Sequence, residues 1–409
     1  MLPVHMRVNH RRIHIARLLL MLLLGGVFAG CADSDDGSPE PAGRGSIVDA
    51  QLAIGYSASQ AATFIAQVGG GGVFAPRYDV RMYRLTYMTV DPEGRAVEAT
   101  AGVYVPVGAD GRVPLISYSH GTTTVKNEVP SNGVSLEGLF NGVLQASHGG
   151  VFVGADLLGL GGSDGFHPYL HAENTAAVSL DALRAARALA DRLDIALNDQ
   201  LFIYGYSQGG HSAMALHREI ERSAGDEFTV TASAPMSGPY DLYESARAAL
   251  AAPVPNGAQS IYAVYMLSAW NPIYEFAARL DDLIRPPYAA LAQQLQATGI
   301  ASDILEAQLA PIPADNLQPE VVAAVLENAS HPISRALQEN SVYDWRPKAP
   351  VRLYFGSADT DVDPQNARTA AAHMTQLGAD VEAVDVGPYD HAGALLPANL
   401  AARRWFNTF

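Results

Sequence analysis

Cysteine is almost missing from this chain. The 409 residues hold one, Cys31, so no internal disulfide can form. Charge is sparse and lopsided: 17% of residues are charged, with 26 Lys and Arg against 42 Asp and Glu, for a net charge of −16. So few cations argue against nucleic acid as a partner and against a basic face for anionic lipids. The apolar run Leu18 to Phe28 has 11 residues, too short for a bilayer, which needs about 20. No HExxH metal motif and no internal repeat occurs. What remains is 48% hydrophobic, enough for one large core with an insertion or for two domains.

The first 30 residues read as a targeting segment. Arg7, Arg11, Arg12 and Arg17 precede the apolar run, which ends in Phe28-Ala29-Gly30-Cys31. This resembles a bacterial lipoprotein signal, which implies lipidation of Cys31 as the first mature residue. Phe28 departs from the Leu usual there, and an ordinary secretory signal is the alternative. Arg11-Arg12 hints at a twin-arginine signal, but His14 stands where a bulky apolar residue is preferred. Cleavage before Cys31 removes four arginines and no acid, leaving a more acidic chain. Residues 31–47, polar and rich in Gly, Pro and Ser, read as a flexible tether.

From residue 80 short β-type runs alternate with helical ones. VRMYRLTYMTV (80–90) and AVEATAGVYVPV (96–107) flank the turn Asp91-Pro92-Glu93-Gly94, as in a hairpin. VPLISYS (113–119), VFVGAD (151–156) and LFIYG (201–205) suit strands buried on both faces. FTVTASAPMSG (228–238), VRLYFG (351–356) and VEAVDVG (381–387) add further strands, and 176–193 has the spacing of an amphipathic helix. The expected fold is α/β, a mostly parallel sheet flanked by helices, with ligands at the strands' carboxyl ends. Residues 240–345 break the rhythm with helix-like and proline-rich sequence and read as a helical cap. The expected parts are a signal at 1–30, a tether at 31–47, a core at 48–239, the cap, and a second core part at 346–409.

G-x-S-x-G occurs twice, around Ser163 and Ser207. A nucleophile elbow needs a strand immediately before and a helix immediately after. LFIYG precedes Ser207, and Ala213, Leu216 and Ile220 follow at helical spacing. Ser163 lies well past its strand, with Phe166-His167-Pro168 behind it, so a plain loop is expected there. Ser207 is the candidate nucleophile. It needs a base oriented by an acid, in the chain order Ser, acid, His. His391, in the loop after VEAVDVG, is the candidate base. His373 and His331 fall in helix-like stretches, and His211 and His217 follow the elbow on its own helix. Asp359 is the first carboxylate past VRLYFG; Asp361 is next, Asp363 suits a helix cap, and Asp241 is an earlier rival. The backbone N–H groups of Gln208 and Thr122 are candidate oxyanion donors, Thr122 following Gly121 in the loop after VPLISYS. His120 in that loop reads as structural.

Taken together these residues resemble the α/β-hydrolase superfamily over most of 80–409. ADLLGLGGSDGFHPYL (155–170) and SLDALRAARAL (179–189) are further similar to its secretory lipase and esterase branch. The resemblance implies carboxylic ester hydrolysis, a helical cap inserted before the acid-bearing strand, and no cofactor. His167 and His171 are not expected to hold a metal, since Pro168 spoils their helical spacing. Tyr262, Tyr265, Met266 and Trp270 form a stripe, read as cap core or as the lining of an acyl pocket. The expected protein is an exported serine ester hydrolase acting on a small-molecule or lipid ester, held at the cell envelope through Cys31 or secreted. The alternatives are a serine peptidase, for which Glu275 and Glu306 make no clear amine site, and a non-catalytic surface-binding lipoprotein.

Overall fold

The computed structural model describes residues 43–71 and 75–409. The signal, Cys31 and most of the tether lie outside the described residues. The apolar runs form strands β1 (Ile47–Tyr56), β2 (Asp79–Val90), β3 (Ala96–Val107), β4 (Val113–Ser119), β5 (Val151–Ala155), β6 (Leu197–Tyr206), β7 (Val230–Met236), β8 (Val351–Phe355) and β9 (Val381–Asp385). They make one sheet in the order β1-β2-β3-β5-β4-β6-β7-β8-β9. β1, β2 and β3 pair antiparallel, as does β3 with β5; β4 to β9 run parallel.

Side-chain alternation splits the core into two layers. In β4, Leu115 joins one apolar cluster while Ile116 and Tyr118 join the other. In β6, Leu201 and Ile203 face one way and Phe202 and Tyr204 the other, as a period of two requires. Both faces are therefore covered, which explains why these strands read as continuous apolar runs. The helices are α1 (Ala58–Ile65), α2 (Leu136–Ser147), α3 (Ala172–Arg192), α4 (Gln208–Ser223), α5 (Leu242–Ala251), α6 (Gly257–Tyr274), α7 (Tyr288–Thr298), α8 (Ser302–Gln308), α9 (Pro319–Glu327), α10 (Pro332–Glu339), α11 (Gln365–Gln376) and α12 (His391–Phe406). Leu183 of α3 and Leu216 of α4 pack on one layer, and Val143 of α2 and Trp405 of α12 on the other.

Between β7 and β8 the chain forms α5 to α10. These bury an apolar cluster of their own, including Val264, Trp270, Ile284, Leu305 and Val325. Before β1, Arg44 donates to the buried Asp181 of α3 at 2.9 Å, so the last residues of the stretch read as a tether already contact the sheet's helices. No helix among the described residues is long and apolar enough to cross a membrane.

Candidate active site

The carboxyl ends of β4, β6, β8 and β9 lie along one edge of the sheet and each feeds a loop into the same place. After β6 the chain turns sharply at Ser207, which has φ 57° and ψ −119°. Such a backbone costs a non-glycine residue about 1–3 kcal/mol, so its surroundings must hold it. They do: Ser207 N–H donates to the Met236 carbonyl at 2.9 Å, and its own carbonyl accepts from Gly210 and His211. The two elbow glycines are required by space. A Cβ on Gly209 would sit 1.9 Å from the Ser119 carbonyl oxygen, and one on Gly205 would sit 2.3 Å from the Gly209 carbonyl oxygen. The same approach brings the end of β4 against the elbow.

Three side chains meet here. His391, the first residue of α12, has Nε2 2.9 Å from Ser207 Oγ and Nδ1 2.7 Å from Asp359 Oδ2. Asp359 is buried, and its Oδ1 accepts from the N–H groups of Asp361 and Val362, both at 3.0 Å. These two bonds hold one carboxylate oxygen while the other faces the imidazole. The other carboxylates have other tasks. Asp241 caps α5 by accepting from Glu244 N–H, and Asp363 accepts from Gln365 N–H at the start of α11. Asp361 lines the neighbouring cavity, its carboxyl raised by burial and by Asp359 beside it.

The remaining histidines lie elsewhere. His373 pairs with Asp344, His331 caps α10, and His211 faces the Asn340 carbonyl. His217 lies between Ser233 Oγ at 2.8 Å and Glu221 Oε1 at 2.9 Å, a second Ser–His–carboxylate row. Ser233 is fully buried within β7, so that row is closed to substrate. Ser163 is a loop residue whose Oγ accepts from Gly159 N–H. His171 caps α3, and no group of metal-binding side chains forms among the described residues.

Gln208 opens α4, where a backbone N–H has no partner within the helix. Its side-chain amide donates to His167 Nε2 at 2.7 Å, and burial pushes His167 down to about 3, so that ring is neutral and accepts. Thr122 follows Gly121 in the loop after β4, and its Oγ1 lies 2.8 Å from the Tyr169 hydroxyl. His120 is buried, with its ring nitrogens 2.7 Å from the Gly121 carbonyl and 3.0 Å from that of Asp156.

A cavity of about 430 Å³ runs from Ser207 and Gln208 between α5, α6, α9 and α10. Its lining is largely apolar, with Leu242, Met266, Leu267, Val321 and Val325 among it. The aromatic stripe of α6 divides: Tyr265 and Trp270 are buried in the helices' own core, while Tyr262 and Met266 line the cavity. Glu275 and Glu306 do not line it. Sequence reasoning missed Glu137, Tyr169 and Tyr206 at this site. Ser135, as N-cap, marks the helix that carries Glu137; nothing local marks Tyr169.

A mostly parallel sheet flanked by helices, with a strand–serine–helix elbow at its carboxyl edge, defines an α/β-hydrolase. Residues 146–408 match the model of the secretory lipase family, and the chain belongs to that family, a group of lipase and esterase hydrolases. Among solved structures it is similar to the cell wall degrading esterase LipA of Xanthomonas oryzae, at 28% identity and a TM-score of 0.79, over 89% of this chain and 96% of that one. A protein of Legionella pneumophila, designated only in general terms as a hydrolase, aligns at 27% identity and a TM-score of 0.83, over 88% and 97%. Candida antarctica lipase A shares the fold at 15% identity and a TM-score of 0.64, over 85% and 78%. No curated protein sequence matches the chain.

Proposed function

We propose that this protein is a serine carboxylic ester hydrolase working through Ser207, His391 and Asp359. The observation that carries the reading is the hydrogen-bonded row from Asp359 through His391 to Ser207, at 2.7 and 2.9 Å, opening on an apolar cavity. Ser207 Oγ attacks the ester carbonyl carbon as its proton passes to His391 Nε2. Asp359 holds the imidazole in the tautomer with the proton on Nδ1 and stabilises the imidazolium. The backbone N–H groups of Gln208 and Thr122 stabilise the oxyanion; losing one such donor costs about 100- to 1000-fold in rate. The imidazolium then protonates the departing alcohol, leaving an acyl-enzyme. Water, deprotonated by His391, attacks the acyl carbon and releases the acid.

The cavity favours an ester whose acyl part is apolar, because most of its lining is apolar, with Leu242, Met266, Leu267, Val321 and Val325 among it. The name of the Xanthomonas oryzae relative supports esters as substrates. Family membership supports export. We extend this to anchoring through a lipidated Cys31, which lies outside the described residues.

The test is turnover of chromogenic esters of graded acyl length and of aminoacyl amides, with wild type and Ser207→Ala. Ester hydrolysis falling by a factor on the order of 10⁶ in the variant is expected, the scale seen when a triad nucleophile is removed. Amide turnover in its place makes the protein a peptidase, and silence on every substrate makes it a binding protein.

A further inference from the structure

Glu137 is a carboxylate beside the row that the ester mechanism does not use. It is the second residue of α2, two after the N-cap Ser135. Its Oε1 accepts from the Tyr118 hydroxyl of β4 and from Gly121 N–H at 3.0 Å. Burial raises its carboxyl above the usual range, and the Tyr118 bond, His120, the Gly121 bond and His391 pull the other way. A negative group behind an oxyanion site works against the charge that develops there, so electrostatics alone gives no reason for it.

The backbone gives one. Gly121 is held on both sides: Glu137 takes its N–H, and His120 Nδ1 faces its carbonyl oxygen at 2.7 Å. That carbonyl belongs to the same planar, trans peptide as Thr122 N–H, so the two point in opposite directions. His120 fixes that peptide directly, and Glu137 fixes the peptide before it, so Gly121 has no freedom between them to turn the Thr122 N–H away. The space is tight as well, since a Cβ on Gly121 would lie 3.3 Å from Glu137 Oε2 and 3.5 Å from the Tyr206 carbonyl oxygen.

We infer that Glu137 is a positioning residue for oxyanion stabilisation, clamping Gly121 so that the Thr122 N–H is aimed at the reacting carbonyl oxygen. This rests on the ester-hydrolase reading above. The role belongs to the acceptor oxygen rather than to the charge, since one carbonyl-type oxygen receives both bonds.

The experiment compares Glu137→Leu, Glu137→Ala and Glu137→Gln in steady-state ester hydrolysis, with binding of an alkyl boronic acid, which forms a tetrahedral adduct on serine. Leu and Ala are expected to lower kcat by about 10- to 100-fold, as sub-ångström misplacement of a donor does. KM stays within about threefold and boronate affinity falls with kcat, while Gln, which keeps an acceptor oxygen, stays within about threefold of wild type. Leu or Ala retaining wild-type kcat overturns the inference, and so does Gln failing alongside them. If Leu and Ala do not fold, Tyr118→Phe removes one donor to the same oxygen; a fall in kcat of about fivefold or more at constant KM is expected, and a kcat within about threefold of wild type overturns it. Ser207→Ala in the same assay keeps the two readings apart. Its continued turnover defeats the parent reading, whereas its inactivity beside an unimpaired Glu137→Leu defeats only this one.

Discussion

Tyr206 stands between the first elbow glycine and Ser207, and its hydroxyl donates to the His391 carbonyl oxygen. Its ring lies 5.3 Å from the imidazole. One side chain thus ties the end of β6, which carries the serine, to the start of α12, which carries the histidine. Tyr206→Phe keeps the ring and removes the tie. A hydrogen bond of this kind contributes about 1 kcal/mol, so the thermal midpoint should fall by only a few degrees. kcat should fall about tenfold with KM unchanged, because the His391 backbone loses its tie to the serine strand and the imidazole sits less firmly at Ser207 Oγ. Unchanged kcat in a folded Tyr206→Phe would mean that α12 needs no such tie. The same pair shows what a sequence discloses. Ser207 and Gln208 are legible because an elbow is a local pattern of glycines between a strand and a helix. His391 and Asp359 are legible because each follows a strand end. Glu137 and Tyr169 reach the site through contacts made only after folding, across 16 residues to Gly121 and 47 to Thr122, and no local rule marks them.

At the scale of elements, strands with two buried faces and helices with a clear stripe could be read directly. β1 could not: it is an edge strand, mostly exposed, so its apolar Val48 and Leu52 mark no buried face, and two register shifts against β2 interrupt its pairing. The stripe on α6 was open to two readings because the helix is apolar on two sides. One side packs inside the helices between β7 and β8, and the other faces the cavity. That division gives a direct probe of the proposed acyl site. Val325 of α9 lines the cavity and is 2% exposed, so Val325→Trp fills space the substrate is proposed to use. Overpacking costs about 1–3 kcal/mol, which the fold must tolerate for the test to be read, so melting is followed alongside. kcat/KM for long-chain esters should fall at least about tenfold while acetyl ester turnover stays near wild type, since one or two displaced methylenes are worth about 1–3 kcal/mol in an apolar pocket. Equal losses on short and long chains would place the acyl group elsewhere.

For the molecule as a whole, the sparse charge noted first has a counterpart inside. Burial pushes His211 down to about 4 and His167 to about 3, so both stay neutral in the folded state well below the ordinary histidine value of 6.5. The unfolded chain takes up those protons as pH falls below 6.5, and the folded chain does not. Their stabilising share is therefore complete above pH 6.5 and declines toward pH 4. Asp156 has the opposite sign. Burial raises it to about 6, so the folded state keeps a proton that the unfolded chain releases above its ordinary 3.8, and stability is lost as pH rises from about 4 through 6. In the whole protein the two effects oppose each other between pH 4 and 6, and a single stability curve hides both. Variants separate them. The unfolding free energy of wild type minus that of His211→Gln should shrink by roughly 1.4 kcal/mol per pH unit as pH falls from 6 to 4, one proton's worth of linkage. The same difference taken against Asp156→Asn should grow over that range. Chemical denaturation at half-unit steps of pH reads both slopes, and a flat His211 difference would mean that this imidazole is already solvated or charged in the native protein.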